Sequence, residues 1–458
     1  MDAWKPRSSW RLDKLAAADA VCLDGSPAVM YRHAYSGSEN ASRWHIFLEG
    51  GGWCFSQPDC IGRQLSLYGS SRGHTPTAHT PTTQCRGLFG AGGLFAGYRQ
   101  AVLKYCDGAS FAGTRGVSVG PSGSFQTIPT RTEGSRRTPL APTHAGAAIL
   151  DAAVQQLLAG GLANATDVVV TGCSAGGLAA LLAAERVRAL VRAAGAPLRR
   201  FKVIAFSGLF FPQLGGPAVS PFADQMLAMA RMSRLRLPPR CAAGSRRWTL
   251  PLVTQCLLGA GPLDALPDDL PAFVEQSTVD RWQLTCVLSA GAGGFQTTNC
   301  TAPEVGLSSC VRHFRPVSPT HATPPGCSRA QTDRLRAWHE TTVDALLASP
   351  ALKRPGTAAF VHHCATHCVA RPENWRLRSI DGVSLREAVR SWWDAAADAP
   401  PSARVDRCRP RWAQSAAQSS CLPSCGRVGS GGGDDRPALL ERAAQVTAAL
   451  RAAGWEPS

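Results

Sequence analysis

Apolar residues in this chain fall into short runs, each closed by glycine or a polar turn, and no run approaches the roughly 20 residues needed to span a bilayer. Trp44-His-Ile-Phe-Leu48 reads as a buried strand ending on a glycine triplet, Gly50-Gly-Gly52. Val168 to Thr171 forms a second β-branched strand, followed at once by the helix-forming Leu178-Ala-Ala-Leu-Leu-Ala-Ala-Glu-Arg186. Pro271-Ala-Phe-Val-Glu-Gln-Ser-Thr278 reads as a strand running into a loop, and Ala358 to His362 suits a final strand. At 458 residues and 44% hydrophobic content the chain can bury one large α/β domain or two smaller ones. It shows no internal repeat and no obvious linker.

Chemistry enters where the second strand meets its helix. Gly172-Cys-Ser-Ala-Gly176 fits G-x-S-x-G, and its strand-to-helix setting is the one a nucleophile elbow requires. Ser174 would stand at the tip of the turn, with the Ala175 amide at a helix N-terminus facing a developing oxyanion. The triplet at residues 50–52, directly after a strand, resembles the glycine loop that supplies further oxyanion donors in lipases; the plain alternative is a glycine-rich turn.

A serine nucleophile also needs a base and a group to orient it. With the order serine, acid, histidine, the best base is His367, in the loop beyond Ala358–His362, whereas His362 and His363 end the strand. For the acid, Asp264, Asp268, Asp269 and Asp280 are open, and Asp280 is preferred because it follows a strand; Asp268 and Asp269 read as solvated. His363 and His367 stand at i, i+4, but without H-E-x-x-H or a nearby carboxylate they do not make a metal site, and no cofactor is expected.

Seventeen cysteines without zinc-ribbon spacing read as disulfides in an oxidising compartment, and the sequons at Asn40, Asn164 and Asn299 agree with a secretory route. The stretch Met1-Asp-Ala-Trp-Lys-Pro-Arg7 contains no apolar signal region. An odd count leaves at least one thiol unpaired, and Cys173, inside the elbow, is the expected one. The net charge of +16 invites a nucleic-acid reading, yet only five basic residues are lysine and no basic run is interleaved with aromatics. An anionic polysaccharide is the better partner for such a surface.

Six motifs together carry a resemblance: Val21-Cys-Leu-Asp-Gly-Ser-Pro27, Leu48-Glu-Gly-Gly-Gly-Trp-Cys54, Lys104-Tyr-Cys-Asp-Gly-Ala-Ser-Phe111, Gly172-Cys-Ser-Ala-Gly-Gly177, Asp280-Arg-Trp-Gln283 and His367-Cys368. In this order, from about Val21 to Cys425, the chain resembles the pectin acetylesterase family, which also contains the Notum-type protein deacylases. The resemblance implies an α/β-hydrolase fold with a mostly parallel central sheet, helices on both faces and many disulfides. It implies Ser174 as nucleophile, Asp280 as acid, His367 as base, and the amides of Gly52, Trp53 and Ala175 as oxyanion hole. It further implies that Cys54 and Cys60 close a small loop, and that Cys364, Cys368, Cys421 and Cys425 tie the His367 loop to the C-terminal tail.

The expected organisation is a poorly ordered extension at 1–20, one catalytic domain at 21–428 and a glycine-rich tail with a short helix at 429–458. Segments 73–93 and 119–142 look inserted, each preceding a helix, and could serve as lids or rims or be surface excursions. Relatives usually carry Ser-Asp-Ala-Gly-Tyr-Phe where this chain has Ala205-Phe-Ser-Gly-Leu-Phe210, so Phe206 replaces a carboxylate and puts the polar part of the cleft in question. The expected protein is a secreted, monomeric serine esterase that removes acetyl groups from a cell-wall polysaccharide such as pectin. The alternatives are a Notum-type palmitoleoyl-protein esterase and a non-catalytic carbohydrate-binding relative.

Overall fold

The computed structural model describes residues 10–33, 40–89, 92–115, 117–119, 125–127, 143–212, 220–242, 247–288, 329–364, 366–369, 372 and 374–406. A ten-stranded sheet runs through it. Its strands are β1 (Trp10–Lys14), β2 (Val29–His33), β3 (Asn40–Leu48), β4 (Thr77–Ala78) and β5 (Tyr98–Leu103), then β6 (Asp167–Cys173), β7 (Arg200–Phe206), β8 (Ala272–Ser277), β9 (Ala358–His362) and β10 (Ser402–Val405). The spatial order is β10-β9-β8-β7-β6-β3-β5-β2-β1-β4. From β10 to β5 every neighbouring pair is parallel, and β2, β1 and β4 complete the sheet in antiparallel fashion.

A parallel sheet must be covered on both faces, and the alternation of side chains shows that it is. In β3 and β6, Ile46, Leu48, Val168 and Val170 enter one core, whereas Phe47 and Val169 enter the other. The first core is closed by helices α1 (Gly146–Ala159) and α2 (Ala175–Ala193), the second by α3 (Leu385–Asp394) with Trp392 and Trp393. The chain therefore adopts an α/β-hydrolase fold, with helices on both faces.

Several expectations change. Residues 10–14 form a strand paired with β2 and β4, so they are part of the sheet and not of a disordered extension. Ala358–His362 is a strand as read, but β10 follows it and pairs with it in parallel. Segment 73–93 leads into β5 after one short 3-10 turn, Arg86–Leu88, and contributes β4 to the sheet edge. Most of 119–142, the tail at 429–458, and Asn299, Cys421 and Cys425 lie outside the described residues. No helix among the described residues is long and apolar enough to cross a membrane.

Candidate active site

Register sets the site. Leu48 pairs with Gly172, Cys173 with Phe206, and Ser277 with His362, so the carboxyl ends of β3, β6, β7, β8 and β9 finish close together. Ligand sites of open α/β sheets form beyond such strand ends.

Ser174 follows β6 directly and caps α2, with φ +59° and ψ −132°, a backbone conformation costly for a residue with a side chain. The turn is held by the Ser174 amide donating to the Phe206 carbonyl at 3.0 Å, while the Ser174 carbonyl accepts from Gly177 and Leu178. Its glycines are required by close packing: a Cβ on Gly172 would stand 2.0 Å from the Gly176 oxygen, and one on Gly176 2.1 Å from the Leu48 oxygen. Ser174 is 5% exposed.

The glycine loop after β3 passes against the elbow, since a Cβ on Gly50 would lie 2.8 Å from that of Ser174. Its carbonyls are individually anchored. The Gln84 side chain brackets Gly50, accepting from its amide at 2.9 Å and donating to its carbonyl at 3.0 Å. The Arg63 guanidinium donates to the Gly51 carbonyl at 2.6 Å, and the Tyr105 hydroxyl to the Gly52 carbonyl at 2.7 Å. Burial raises the Tyr105 pKa well above its ordinary value, so the phenol stays protonated and a donor. In a planar trans peptide the N–H points opposite to the C=O, so anchoring the Gly51 and Gly52 carbonyls also fixes where the Gly52 and Trp53 amides point. The Cys54–Cys60 disulfide closes the next turn of chain.

His367 Nδ1 lies 2.8 Å from Asp280 Oδ2, and Asp280 is fully buried, its other oxygen accepting from the Gln283 amide at 2.9 Å. Asp264 instead accepts from Ser349 and Ala351, Asp268 pairs with Arg240 and Arg354, and Asp269 with Arg188. His363 Nδ1 lies 2.6 Å from Asp406. Cys173 is bonded to Cys368, contrary to the expectation of a free thiol; the strand end brings its sulfur beside the histidine loop. That bond joins the residue before Ser174 to the residue after His367. No direct hydrogen bond joins Ser174 Oγ to His367, a common condition before substrate tightens a site. Cys368 is therefore not paired with the tail, and the free thiol among the described residues is the buried Cys85.

Beneath His367 lies a buried cluster that the sequence reading passed over. Glu275, His362, Arg378 and Ser207 are each about 1% exposed. His362 Nδ1 accepts from the Cys364 amide at 3.1 Å, which puts its proton on Nε2, 2.6 Å from Glu275. Burial, followed by the Arg378 charge, lowers the His362 pKa to about 4, so this ring is neutral near pH 7 and Arg378 carries the countercharge of Glu275. Burial alone would raise the Glu275 pKa, but His362 and Arg378 hold it below the ordinary carboxylate range. The cluster grips the histidine loop: Arg378 donates to Thr366 Oγ1, Ser277 to the Cys364 carbonyl, and the Cys368 amide to Ser207 Oγ. A glutamate inside the apolar strand Ala272–Ser277 was the available signal.

Phe206 lies wholly in the second core, its ring 4.9 Å from that of Trp375, so the residue replacing the family carboxylate does not open the cleft. Trp282 is a further addition, its ring 6.1 Å from the His367 ring. It packs with Trp53, Phe210 and Phe222 at centroid separations of 5.4 to 5.9 Å.

The family and relatives make the chain a carboxylic-ester hydrolase. The pectinacetylesterase family model matches residues 8–416, and the chain belongs to that family. Pectin acetylesterase 7 of Arabidopsis thaliana is 25% identical over 403 residues, covering 83% of this chain and 86% of its own length. The human palmitoleoyl-protein carboxylesterase NOTUM is 29% identical over 202 residues, covering 44% of this chain and 36% of that protein. A solved structure of the Wnt deacylase Notum from Drosophila superposes with a TM-score of 0.61 at 21% identity, covering 87% of this chain and 97% of that one, which bears on the fold.

Proposed function

We propose that this protein is a secreted serine esterase that removes acetyl groups from an acidic cell-wall polysaccharide through an acyl-enzyme. His367 takes the Ser174 proton as the serine oxygen bonds to the ester carbonyl carbon; the alkoxide leaves with that proton, and water then releases acetate by the same route. Asp280 orients the imidazole and stabilises its charged form. The Gly52, Trp53 and Ala175 amides stabilise the oxyanion, and neither the Gly52 nor the Trp53 amide donates to a backbone carbonyl among the described residues.

The observation that carries this reading is the Cys173–Cys368 bond, which makes the elbow and the Asp280-bound histidine neighbours although 195 residues separate the two cysteines. The acetyl preference rests on the aromatic cluster: Trp53, Phe210, Phe222 and Trp282 fill one another's space beside His367, which favours a short acyl group over a fatty chain. The disulfides fit an extracellular setting.

Ser174→Ala should lower kcat on p-nitrophenyl acetate by about three or more orders of magnitude and abolish labelling by a fluorophosphonate. Parent-like turnover by this variant would refute the assignment. Acetyl esters should outperform octanoyl esters; the reverse order would favour the long-chain activity named for the NOTUM relatives.

A further inference from the structure

A cleft opens between chain segments that follow Gln84 and Cys368, with a volume of about 590 Å³, within the range of ligand-binding clefts. Arg86, Gly87, Phe89, Gly92 and Gly93 form one wall, and Pro372, Arg376, Leu377 and Arg386 the other. Both walls are continuations of the candidate active site. The first follows Gln84, which brackets Gly50, and the second follows His367 and Cys368. They meet over Trp375, whose indole donates to the Val369 carbonyl at 3.3 Å and leaves no room for a Cβ on Gly87.

Among the described residues, the charged side chains that line the cleft are arginines. Arg86, Arg376 and Arg386 line it, and Arg390 stands one helical turn beyond Arg386 on α3. Several other arginines meet carboxylates: Arg188 pairs with Asp269, Arg236 with Asp151, and Arg240 with Asp268. None of these four arginines has a carboxylate partner among the described residues. Arg386 is fixed by donating to the Gly92 carbonyl at 3.1 Å, which spans the two walls. Its pKa is pushed down by burial and then by the Arg376 and Arg390 charges, as expected for like charges held together. An anion would relieve that repulsion, and the guanidinium fork suits carboxylates in particular. Phe89 and Leu377 add apolar surface against which a sugar face can lie.

We propose that this arginine cleft binds uronate carboxylates of an acidic polysaccharide, holding the polymer while a neighbouring acetylated residue occupies the Ser174 site. The proposal rests on the esterase reading for its outcome but not for its binding step, so the two can fail separately. The test uses Ser174→Ala protein and unacetylated oligogalacturonate in calorimetry, compared with a neutral xylan oligomer. The variant Arg86→Gln/Arg376→Gln/Arg390→Gln keeps Arg386 and should weaken galacturonate binding tenfold or more and flatten its salt dependence. With Ser174 intact, the same triple variant should raise KM for acetylated galacturonan tenfold or more, with kcat and p-nitrophenyl acetate turnover unchanged. Arg376→Glu alone, at an exposed position, should give a smaller loss of the same kind.

Parent-like galacturonate affinity in the triple variant, or equal parent affinity for the xylan oligomer or single-stranded DNA, would overturn the proposal. Arginine-dependent galacturonate binding without deacetylation of the polymer would support the cleft and refute the substrate reading. Deacetylation with a KM indifferent to these arginines would do the opposite.

Discussion

The elbow carrying Ser174 and the loop carrying His367 face the same space, yet they are built in different ways. The elbow is held by its immediate surroundings: a strand, two glycines that permit close approach, and a helix that begins on the next residue. The histidine loop lies after the end of β9 and takes its shape from distant groups, among them Cys173, Ser207, Asp280 and Arg378. The positive φ at Ser174, Ser207 and Cys368 shows where the two meet, since each is unfavourable for a residue with a side chain. Ser174 bonds to the residue before Ser207, Ser207 accepts from Cys368, and Cys368 is bonded to Cys173. The proposed nucleophile is thus set by local backbone, while the proposed base, on a loop joined to the elbow by a bond spanning 195 residues, is held by cross-links and buried charge.

The comparison can be broken first at the elbow. Gly176→Ala forces a methyl group into the Leu48 carbonyl, at 2.1 Å, and should cost about 4 kcal/mol or more, read as a large fall in melting temperature or loss of soluble protein. A variant melting like the parent would show that the elbow is less rigid than its packing implies.

The loop should respond differently. Replacing Cys173 and Cys368 together by alanine should lower stability by about 2–4 kcal/mol and kcat by about 10- to 100-fold, because the base loses its tether to the nucleophile. KM for p-nitrophenyl acetate should move little. A variant with lowered melting temperature and full kcat would mean that the bond serves stability alone.

A smaller, graded effect is expected in acid. His45 is fully buried and its pKa is lowered by burial to about 3; burial likewise lowers His144 and His362 to about 4. All three titrate near 6.5 when unfolded, so between pH 6.5 and about 4 the unfolded chain binds protons that the folded one excludes. Stability should therefore be complete above pH 6.5, fall as pH drops, and level off as regards these groups only below about pH 3, where His45 too is protonated in the folded chain. Melting temperatures across that range check it, and a flat profile would contradict neutral burial. His362→Gln should reduce the slope, because that ring sits in the cluster holding the histidine loop.

The parts of the site readable from sequence were those in which one short segment specifies its own shape. Gly172 to Gly177, flanked by a β-branched run and a helix former, announces the elbow, and the glycine triplet after Leu48 announces a backbone loop. The partner of Cys173, the two hydrogen bonds from Gln84 to Gly50, the Glu275–His362–Arg378 cluster and the aromatic packing on Trp282 were not readable in the same way. Each joins segments far apart in the chain, and spacing along a sequence says nothing about which ends meet in space. Phe206 shows the same limit: its identity suggested an altered cleft, while the alternation of β7 sends it into the core.

By itself the sequence determined the sheet-forming runs, the elbow, and the family to which the chain belongs, because these depend on local backbone preference and on ordered motifs. The tertiary structure alone decided how the His367 loop is held and where arginines collect. Both follow from which distant segments the sheet brings within hydrogen-bonding and Coulombic range, a distance of only a few ångströms.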